Sequence, residues 1–407
     1  MDKKKVLFIT TQFPYPLDNG GKIGAFNGIS VIAPNFSVTV LSFSEEAKYI
    51  EEGISYFLKK LPLVVFERPV LHDIHIRHQK LKLVNAILKG YIKGVPYIAS
   101  KFISDAMYRK IDEKFQKKYY WDYIFVDYLN MSVYGNYIEK NYKNRYGKMI
   151  LKDHNIEYEL VKQECDSSSL LKKCILIPEW MRTRKYEINQ IKNADYVFSV
   201  CDSNTNWMKQ YNQRCFTMFP TYEMLKIERE MPSNHNILYM GNLSWKSNME
   251  GLEWFVRKAF PLVCDVIPDA KLTIVGSGPS ANIFKNHPNI NYLGYVKDIQ
   301  HIYDDQSIFI VPLFDGSGIR IKILEAFNNE IPVVSTLLAC ETIGAENGKD
   351  IIIADSAEDF ANSIVELFDN YQLRKDMVKN AKDFLNRRFS LSVRQMEFLR
   401  CLEEDER

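Results

Sequence analysis

Two cations and a carboxylate stand at close spacing behind two glycines in the run PLFDGSGIRIKILEAF, residues 312–327. Arg320 and Lys322 supply fixed positive charge, Gly316 and Gly318 permit a sharp turn, and Glu325 follows about one turn later. A helix starting near Ile319 would aim its unpaired backbone N–H groups and the positive end of its dipole at that turn. Such a place suits an oxyanion, and Glu325 suits paired hydrogen bonds from a diol such as a ribose. The first turn of a helix favours acids, so two bases there are locally unfavourable without an anion. A Gly-rich turn with a solvated basic helix start is the plainer alternative. Asp315, Ser317 and Ile319 share the turn and would line it.

Three further segments carry candidate chemistry. GNLSWKSNMEG, residues 241–251, offers Gly241 for close approach of backbone to a phosphate and Lys246 for charge, against a simple strand-ending turn. Residues 14–24 hold Asp18, Asn19, Gly20 and Gly21 after an apolar run, where tandem glycines can lie against a diphosphate or form a plain surface loop. KDHNIE, residues 152–157, places His154 just past an apolar run, although a lone histidine is more often a satisfied core or surface residue. The segment LTIVGSGP lacks the third glycine of a dinucleotide fingerprint. There is no DxD pair and no carboxylate cluster to hold a metal, and no metal or other cofactor is expected.

The elements that must position these residues are short apolar strands alternating with amphipathic helices. Strands are expected at 5–10, 37–43, 63–66, 123–127, 148–152, 196–200 and 215–219, with helices at 25–33, 181–192 and 204–211 among them. After 219 the pattern breaks into a proline-containing, charged stretch, so a linker is placed at 220–235. It then resumes with strands at 236–240, 271–275, 290–293, 308–312, 332–335 and 350–353. Helices are expected at 249–266, 297–303, 319–328 and 357–370, and from 372 to 404. Alternation of this kind implies parallel sheets covered on both faces, here two doubly wound α/β domains at 1–219 and 236–387. Ligands of such sheets bind at the carboxyl ends of the strands, where all four candidate segments fall.

The 407 residues carry 53 Lys and Arg against 51 Asp and Glu, and seven scattered Cys with no CxxC spacing. Neither a disulfide framework nor a zinc site is implied, and a reducing cytoplasm fits. The near-neutral total hides an excess of +9 in residues 1–235 and −7 in 236–407. Residues 59–118 hold 14 bases and 5 acids, interleaved with aromatic residues such as Phe66, Tyr91, Tyr97, Phe102, Tyr108 and Phe115. That mixture suits an anionic membrane surface or acceptor, against a plain solvated helix face. With no nucleic-acid motif beside the charge, nucleic acid is not an expected partner.

On these motifs the chain resembles the retaining glycosyltransferases of family four, also called group 1. The likeness is carried by YMGNLSWKSNMEGLEWF, AKLTIVGSGP, INYLGYV and IFIVPLFDGSGIRIKILEAFNNEIPVVST. In the first half it rests on the GG loop, DHNIE and ADYVFSVCDSNT. The resemblance implies two Rossmann-like domains facing across a cleft (the GT-B fold), with a nucleotide sugar held by the second domain. A saccharide or lipid-linked acceptor would be held by the first. It implies that Glu325 holds ribose hydroxyls and that Arg320 and Lys322 neutralise the diphosphate, helped by Gly20, Gly21 and Gly241. His154 would lie near the transferred sugar, and a helix at about 388–407 would return to the first domain. The resemblance also implies retention of anomeric configuration and a role in cell-surface polysaccharide or glycoconjugate synthesis, at the cytoplasmic face of the membrane. The sequence departs from the family where Ser317 stands eight residues before Glu325 in place of an acid, and where Asn242 stands at a usual Arg position. A nucleotide-sugar epimerase of the same shape and a non-catalytic donor-binding homologue remain alternatives.

Overall fold

The computed structural model describes residues 3–403 apart from 18, 75–78, 117–118, 226–229, 279–283, 285–286, 297–298 and 317. The chain divides into two compact units, one of Met1–Thr221 with Arg394–Arg407 and one of Tyr222–Val393.

In the first unit the strands are β1 (Lys5–Thr10), β2 (Ser37–Ser44), β3 (Val64–Phe66), β4 (Val70–Leu71), β5 (Trp121–Asp127), β6 (Tyr146–Asp153), β7 (Tyr196–Ser199) and β8 (Cys215–Thr217). Its helices are α1 (Gly20–Ile32), α2 (Ile50–Lys60), α3 (Lys80–Lys93), α4 (Tyr97–Ser100), α5 (Asp105–Gln116) and α6 (Ser132–Tyr142). They continue with α7 (Glu157–Asp166), α8 (Leu170–Asn193) and α9 (Asp202–Met208). The strands pair in the order β3-β2-β1-β5-β6-β7-β8, all parallel, with β4 also on β2. Val6, Leu7, Phe8 and Ile9 of β1 are all buried, as a strand covered on both faces requires. The aromatic residues Phe102 and Phe115 of the basic 59–118 stretch are buried in this core rather than displayed.

The second unit contains β9 (Asn236–Met240), β10 (Lys271–Val275), β11 (Ile290–Gly294), β12 (Ile308–Val311), β13 (Val333–Ser335) and β14 (Ile352–Ile353). Its helices include α10 (Lys246–Trp254), α11 (Phe260–Val266), α12 (Gln300–Tyr303), α13 (Ile321–Asn328), α14 (Leu337–Glu341), α15 (Ala357–Asp369) and α16 (Tyr371–Phe389). The strand order is β11-β10-β9-β12-β13-β14, again parallel. A π-helical segment, Phe255–Ala259, joins α10 to α11 and brings the buried rings of Phe255 and Phe260 to 5.8 Å.

Several boundaries move from the sequence expectation for local reasons. The helix expected at 25–33 starts at Gly20, because the Asn19 side chain accepts from the Lys22 amide and caps it. Gly20 and Gly21 are thus a first helical turn, not a loop. The helix expected at 181–192 reaches back to Leu170 and contains Pro178. Within 220–235, Tyr222 donates its amide to the Phe389 carbonyl, and Glu223 and Leu225 are hydrogen-bonded to Asn328, all inside the second unit. The last helix, α17 (Leu391–Glu403), belongs to the first unit from Arg394 onward. There Phe398 packs near Phe36, Phe125 and Phe198.

Candidate active site

In each sheet the strand order reverses direction at one place, between β1 and β5 in the first unit and between β9 and β12 in the second. In open α/β sheets, ligands bind at the carboxyl ends of the strands beside such a reversal. The chemically distinctive residues of the chain collect at these two points.

In the second unit, β9 runs out at Met240 into Gly241, and β12 runs out at Val311 into the turn that leads to α13. Gly276, at φ +135°, lies against the Gly241 carbonyl so closely that a Cβ would sit 1.8 Å from that oxygen, which locks the two loops together. A Cβ on Gly251 would sit 1.9 Å from the Pro312 carbonyl oxygen, so α10 rests directly on the turn after β12. The glycines of VGSGP therefore serve backbone packing. Gly316 and Gly318 both have positive φ, +105° and +83°, which lets the turn bend sharply into α13.

Lys322, in the first turn of α13, points back across this junction. Its Nζ donates to Asn248 Oδ1 at 3.1 Å and lies 5.0 Å from the centre of the Tyr239 ring, whose hydroxyl donates to the Asn248 carbonyl. A Cβ at Gly241 would meet this ammonium at 2.9 Å, so glycine at 241 leaves the lysine its path. Burial, then repulsion from Arg320, pulls the Lys322 ammonium down to about 7. Burial lifts Glu325 on the same helix to about 7, with Lys322 opposing. Arg320 is also lowered by burial, and its guanidinium lies close to Gly316, where a Cβ would be 3.1 Å from Nη2. Two partly buried bases thus stand together at a helix start, an arrangement that an incoming dianion would relieve.

In the first unit, β1, β5 and β6 end together. Asp127, fully buried at the end of β5, accepts from Thr10 Oγ1 at 2.7 Å and binds Lys152 Nζ at 3.3 Å and His154 Nε2 at 2.8 Å. Burial opposes ionisation of Asp127, but Lys152 and His154 outweigh it and hold the acid at about 2. His154 is stacked flat on Tyr128, with ring centres 3.7 Å apart and planes within 5°. Burial and then Lys152 push the imidazole down to about 4, against the pull of Asp127. A neutral ring giving Nε2–H to an ionised Asp127 leaves Nδ1 as a base. The start of α1 closes over this group. Lys152 Nζ donates to the Gly24 carbonyl at 3.0 Å, Tyr128 Oη approaches the Gly21 carbonyl at 3.3 Å, and a Cβ on Gly24 would be 2.8 Å from His154 Cε1.

The site residues named from sequence therefore fall into two groups. Gly241, Asp315, Gly316, Gly318, Ile319, Arg320, Lys322 and Glu325 gather at the β9–β12 junction. His154, Gly20 and Gly21 belong to the β1–β5–β6 junction of the first unit. Lys246 stands apart on the exposed start of α10, 3.5 Å from Glu250. Ser317 and Asp18 lie outside the described residues. Sequence reasoning missed Asp127, Lys152, Tyr128, Tyr239 and Asn248. The signal for Asp127 and Lys152 was present, since each is a charged residue closing an apolar strand. Among the described residues, no group of three or more His, Cys, Asp and Glu could hold a metal ion.

Residues 234–370 match the family profile of the glycosyl transferases group 1. The second unit is a group 1 glycosyl transferase domain. Over 405 residues the chain is 26% identical to an uncharacterized 44.6 kDa protein in the cps region of Klebsiella pneumoniae, covering 95% of this chain and 96% of the relative. It shares its fold with sucrose-phosphate synthase from Thermosynechococcus elongatus, with TM-score 0.69, 13% identity and 99% of both chains covered. Two further solved structures of similar fold are a point mutant of S. aureus TarM in complex with fondaparinux, alpha-GlcNAc-glycerol and UDP, and Anabaena Alr3699/HepE in complex with UDP and glucose. Their TM-scores are 0.65 and 0.64, each at 13% identity over 98% of this chain and 99% of the other. The chain thus has the GT-B fold, with both sheets Rossmann-like.

Proposed function

We propose that this glycosyltransferase moves a sugar from a nucleoside-diphosphate sugar to a saccharide or lipid-linked acceptor with retention of anomeric configuration, in the cytoplasm. The observation that carries the donor half is Lys322, held by Asn248 over the Tyr239 ring at the start of α13, with Arg320 and Glu325 beside it. The diphosphate would sit against Lys322, Arg320 and the α13 amide groups, and the ribose hydroxyls would bond Glu325. The bound complexes of HepE with UDP and glucose and of TarM with UDP support a nucleotide sugar as donor. The cps-region relative supports a role in surface polysaccharide synthesis.

As the bond from the anomeric carbon to the diphosphate oxygen breaks, its electron pair stays on that oxygen. Fixed cations and amide dipoles aimed at the growing charge stabilise the transition state without reorganising. The acceptor hydroxyl oxygen forms the new bond to the anomeric carbon, and its proton leaves with the diphosphate. His154, neutral and oriented by Asp127, is the group offered to the sugar or acceptor by the first unit. Two cations in place of a metal make the reaction independent of chelators.

The test is a panel of nucleotide sugars screened by thermal shift, because a ligand that binds only the folded state raises apparent stability by mass action. The best donor is then incubated with simple glycoside acceptors in EDTA, and the anomeric configuration of the product is read by NMR. Stabilisation by one nucleotide sugar and a product of retained configuration support the reading. Interconversion of the nucleotide sugar without transfer, or an inverted product, refutes it.

A further inference from the structure

Helix α3, KLKLVNAILKGYIK, has four lysines and no acid. Ala86 and Gly90 face inward, the latter so tightly that a Cβ would be 2.9 Å from the Val95 carbonyl oxygen. Outward stand Leu81 (88% exposed), Val84, Leu88, Tyr91 and Ile92 (82% exposed), at spacings of three and four that align them on one face. Solvated helix faces do not ordinarily present a continuous aliphatic stripe to water. The first half of α8 repeats the pattern. Leu170, Leu171 (86% exposed), Ile175, Ile177 and Met181 are exposed beside Lys172 and Lys173, whereas the second half of the helix buries Thr183, Tyr186, Glu187 and Ile191. The two stripes meet where the Arg182 guanidinium covers the Tyr91 ring at 4.0 Å and donates to the Val95 carbonyl at 2.6 Å. Glu179, the one acid of 170–182, is turned inward to the Tyr97 amide and Arg182.

We infer that the exposed faces of α3 and the first half of α8 form one docking surface for an anionic lipid bilayer. Aliphatic side chains would enter the boundary between headgroups and acyl chains while the flanking lysines meet lipid phosphates. Charge selects this occupant. Lys82 and Lys172 pair with Asp73 and Glu164, so the charge is carried by Lys89, Lys93 and Lys173. A second copy docking through the same patch would set these lysines against one another, whereas an anionic bilayer complements both the charge and the apolar stripe. The α3 half of this surface, with Tyr91, falls within the basic, aromatic stretch 59–118, whereas Phe102 and Phe115 of that stretch are core and the α8 half lies outside it. The inference depends on the proposed function only for its purpose, which is to bring the first unit to a lipid-linked acceptor.

The experiment is flotation of the full chain with vesicles of phosphatidylcholine alone and with added phosphatidylglycerol, at low and high salt. Binding to the anionic vesicles only, weakening as salt screens the lysines, is expected. Replacing Lys89 or Lys93 by Gln should lower the partition coefficient about fivefold each. Leu88→Asp with Ile92→Asp, and separately Leu171→Asp with Ile175→Asp, should lower it tenfold or more without changing the melting temperature or turnover of a water-soluble acceptor. No binding to anionic vesicles at low salt overturns the inference. So does binding that the aspartate variants leave intact, or a dimer in sedimentation equilibrium that these variants dissociate. Because vesicle binding is read without donor, its failure is separable from failure of the transfer reaction.

Discussion

Donor affinity should pass through a maximum near pH 7 and fall on both sides, because the cation and the acid of the α13 site both titrate there. Lys322 sits at about 7 and Glu325 at about 7 before any ligand arrives. A nucleotide sugar carries a diphosphate diester whose charge is constant across this range, so the protein supplies the pH dependence. Binding calls for charged Lys322 to meet phosphate and ionised Glu325 to accept from ribose. With the two treated as independent, the fraction of sites in that state is about one-quarter at pH 7, one-twelfth at pH 6 or 8, and one-hundredth at pH 5 or 9. Affinity should therefore drop about threefold one unit from the optimum and about 25-fold two units away. Calorimetry in buffers of different ionisation enthalpy should find almost no net proton exchange at pH 7. It should find uptake of about 0.8 proton at pH 8, where Lys322 must be charged, and release of about 0.8 at pH 6, where Glu325 must be ionised. Lys322→Met should remove the alkaline arm and Glu325→Gln the acid arm. Losing one charge-assisted contact of about 1.5–3 kcal/mol should also cost Lys322→Met roughly tenfold to hundredfold in affinity at pH 7. The sign for stability is opposite. A lysine lowered by burial is released from its folded-state penalty only as pH rises through 7 toward its unfolded value, so at pH 7 the ligand-free Lys322→Met chain should melt higher than the wild type. Affinity flat from pH 5 to 9, or proton exchange of the same sign at pH 6 and 8, would refute this reasoning.

Gly241→Ala would place a methyl 2.9 Å from Lys322 Nζ and 3.0 Å from Tyr239 Oη, displacing the lysine; donor affinity by calorimetry should fall at least tenfold with a small change in melting temperature. Asp127→Asn leaves Lys152 buried without its counter-charge and should destabilise the chain by about 3–5 kcal/mol in denaturant titration. It should also lower the maximal rate of transfer, because His154 loses the carboxylate that orients it. Glu187 on α8 accepts from the amides of Glu157 and Tyr158 at the start of α7 and is pushed up by burial to about 8. A carboxyl raised in the folded state keeps a proton the unfolded chain has lost, so its contribution to stability falls as pH climbs from about 4.5 to 8. The melting temperature of Glu187→Gln relative to wild type should accordingly rise across that window. A difference constant from pH 5 to 8 would contradict the placement of Glu187.

The strands of both sheets were legible because parallel strands covered on both faces must be continuous apolar runs, and β1, β5, β9 and β12 are such runs. The anion site was legible for a different reason. Bases in the first turn of a helix oppose the helix dipole, so Arg320 and Lys322 stood out against their local context. Asn248 and Tyr239 were not legible, since what they do depends on α10 lying across the end of β12, a contact between residues 61 apart in the chain.

 That contact joins Gly251 to Pro312, which no local pattern links. Asp127 was hidden likewise, because Thr10, Lys152 and His154 converge on it from strands that only the sheet order makes neighbours. The first half of α8 escaped notice because Pro178 reads as a helix breaker, yet the exposed start of the helix tolerates it. The aromatic residues of 59–118 divide between two roles that sequence does not separate, because amphipathic rings suit both an interface and a core: Phe102 and Phe115 took the core, and Tyr91 is exposed.

Where a nucleotide sugar binds is the most direct test of the α13 site. A crystal structure of the full chain with the best-stabilising nucleotide sugar should place diphosphate oxygens within about 3 Å of Lys322 Nζ and the Arg320 guanidinium, with ribose hydroxyls on Glu325. A nucleotide seated elsewhere in the chain, with the start of α13 left open to water, would contradict it.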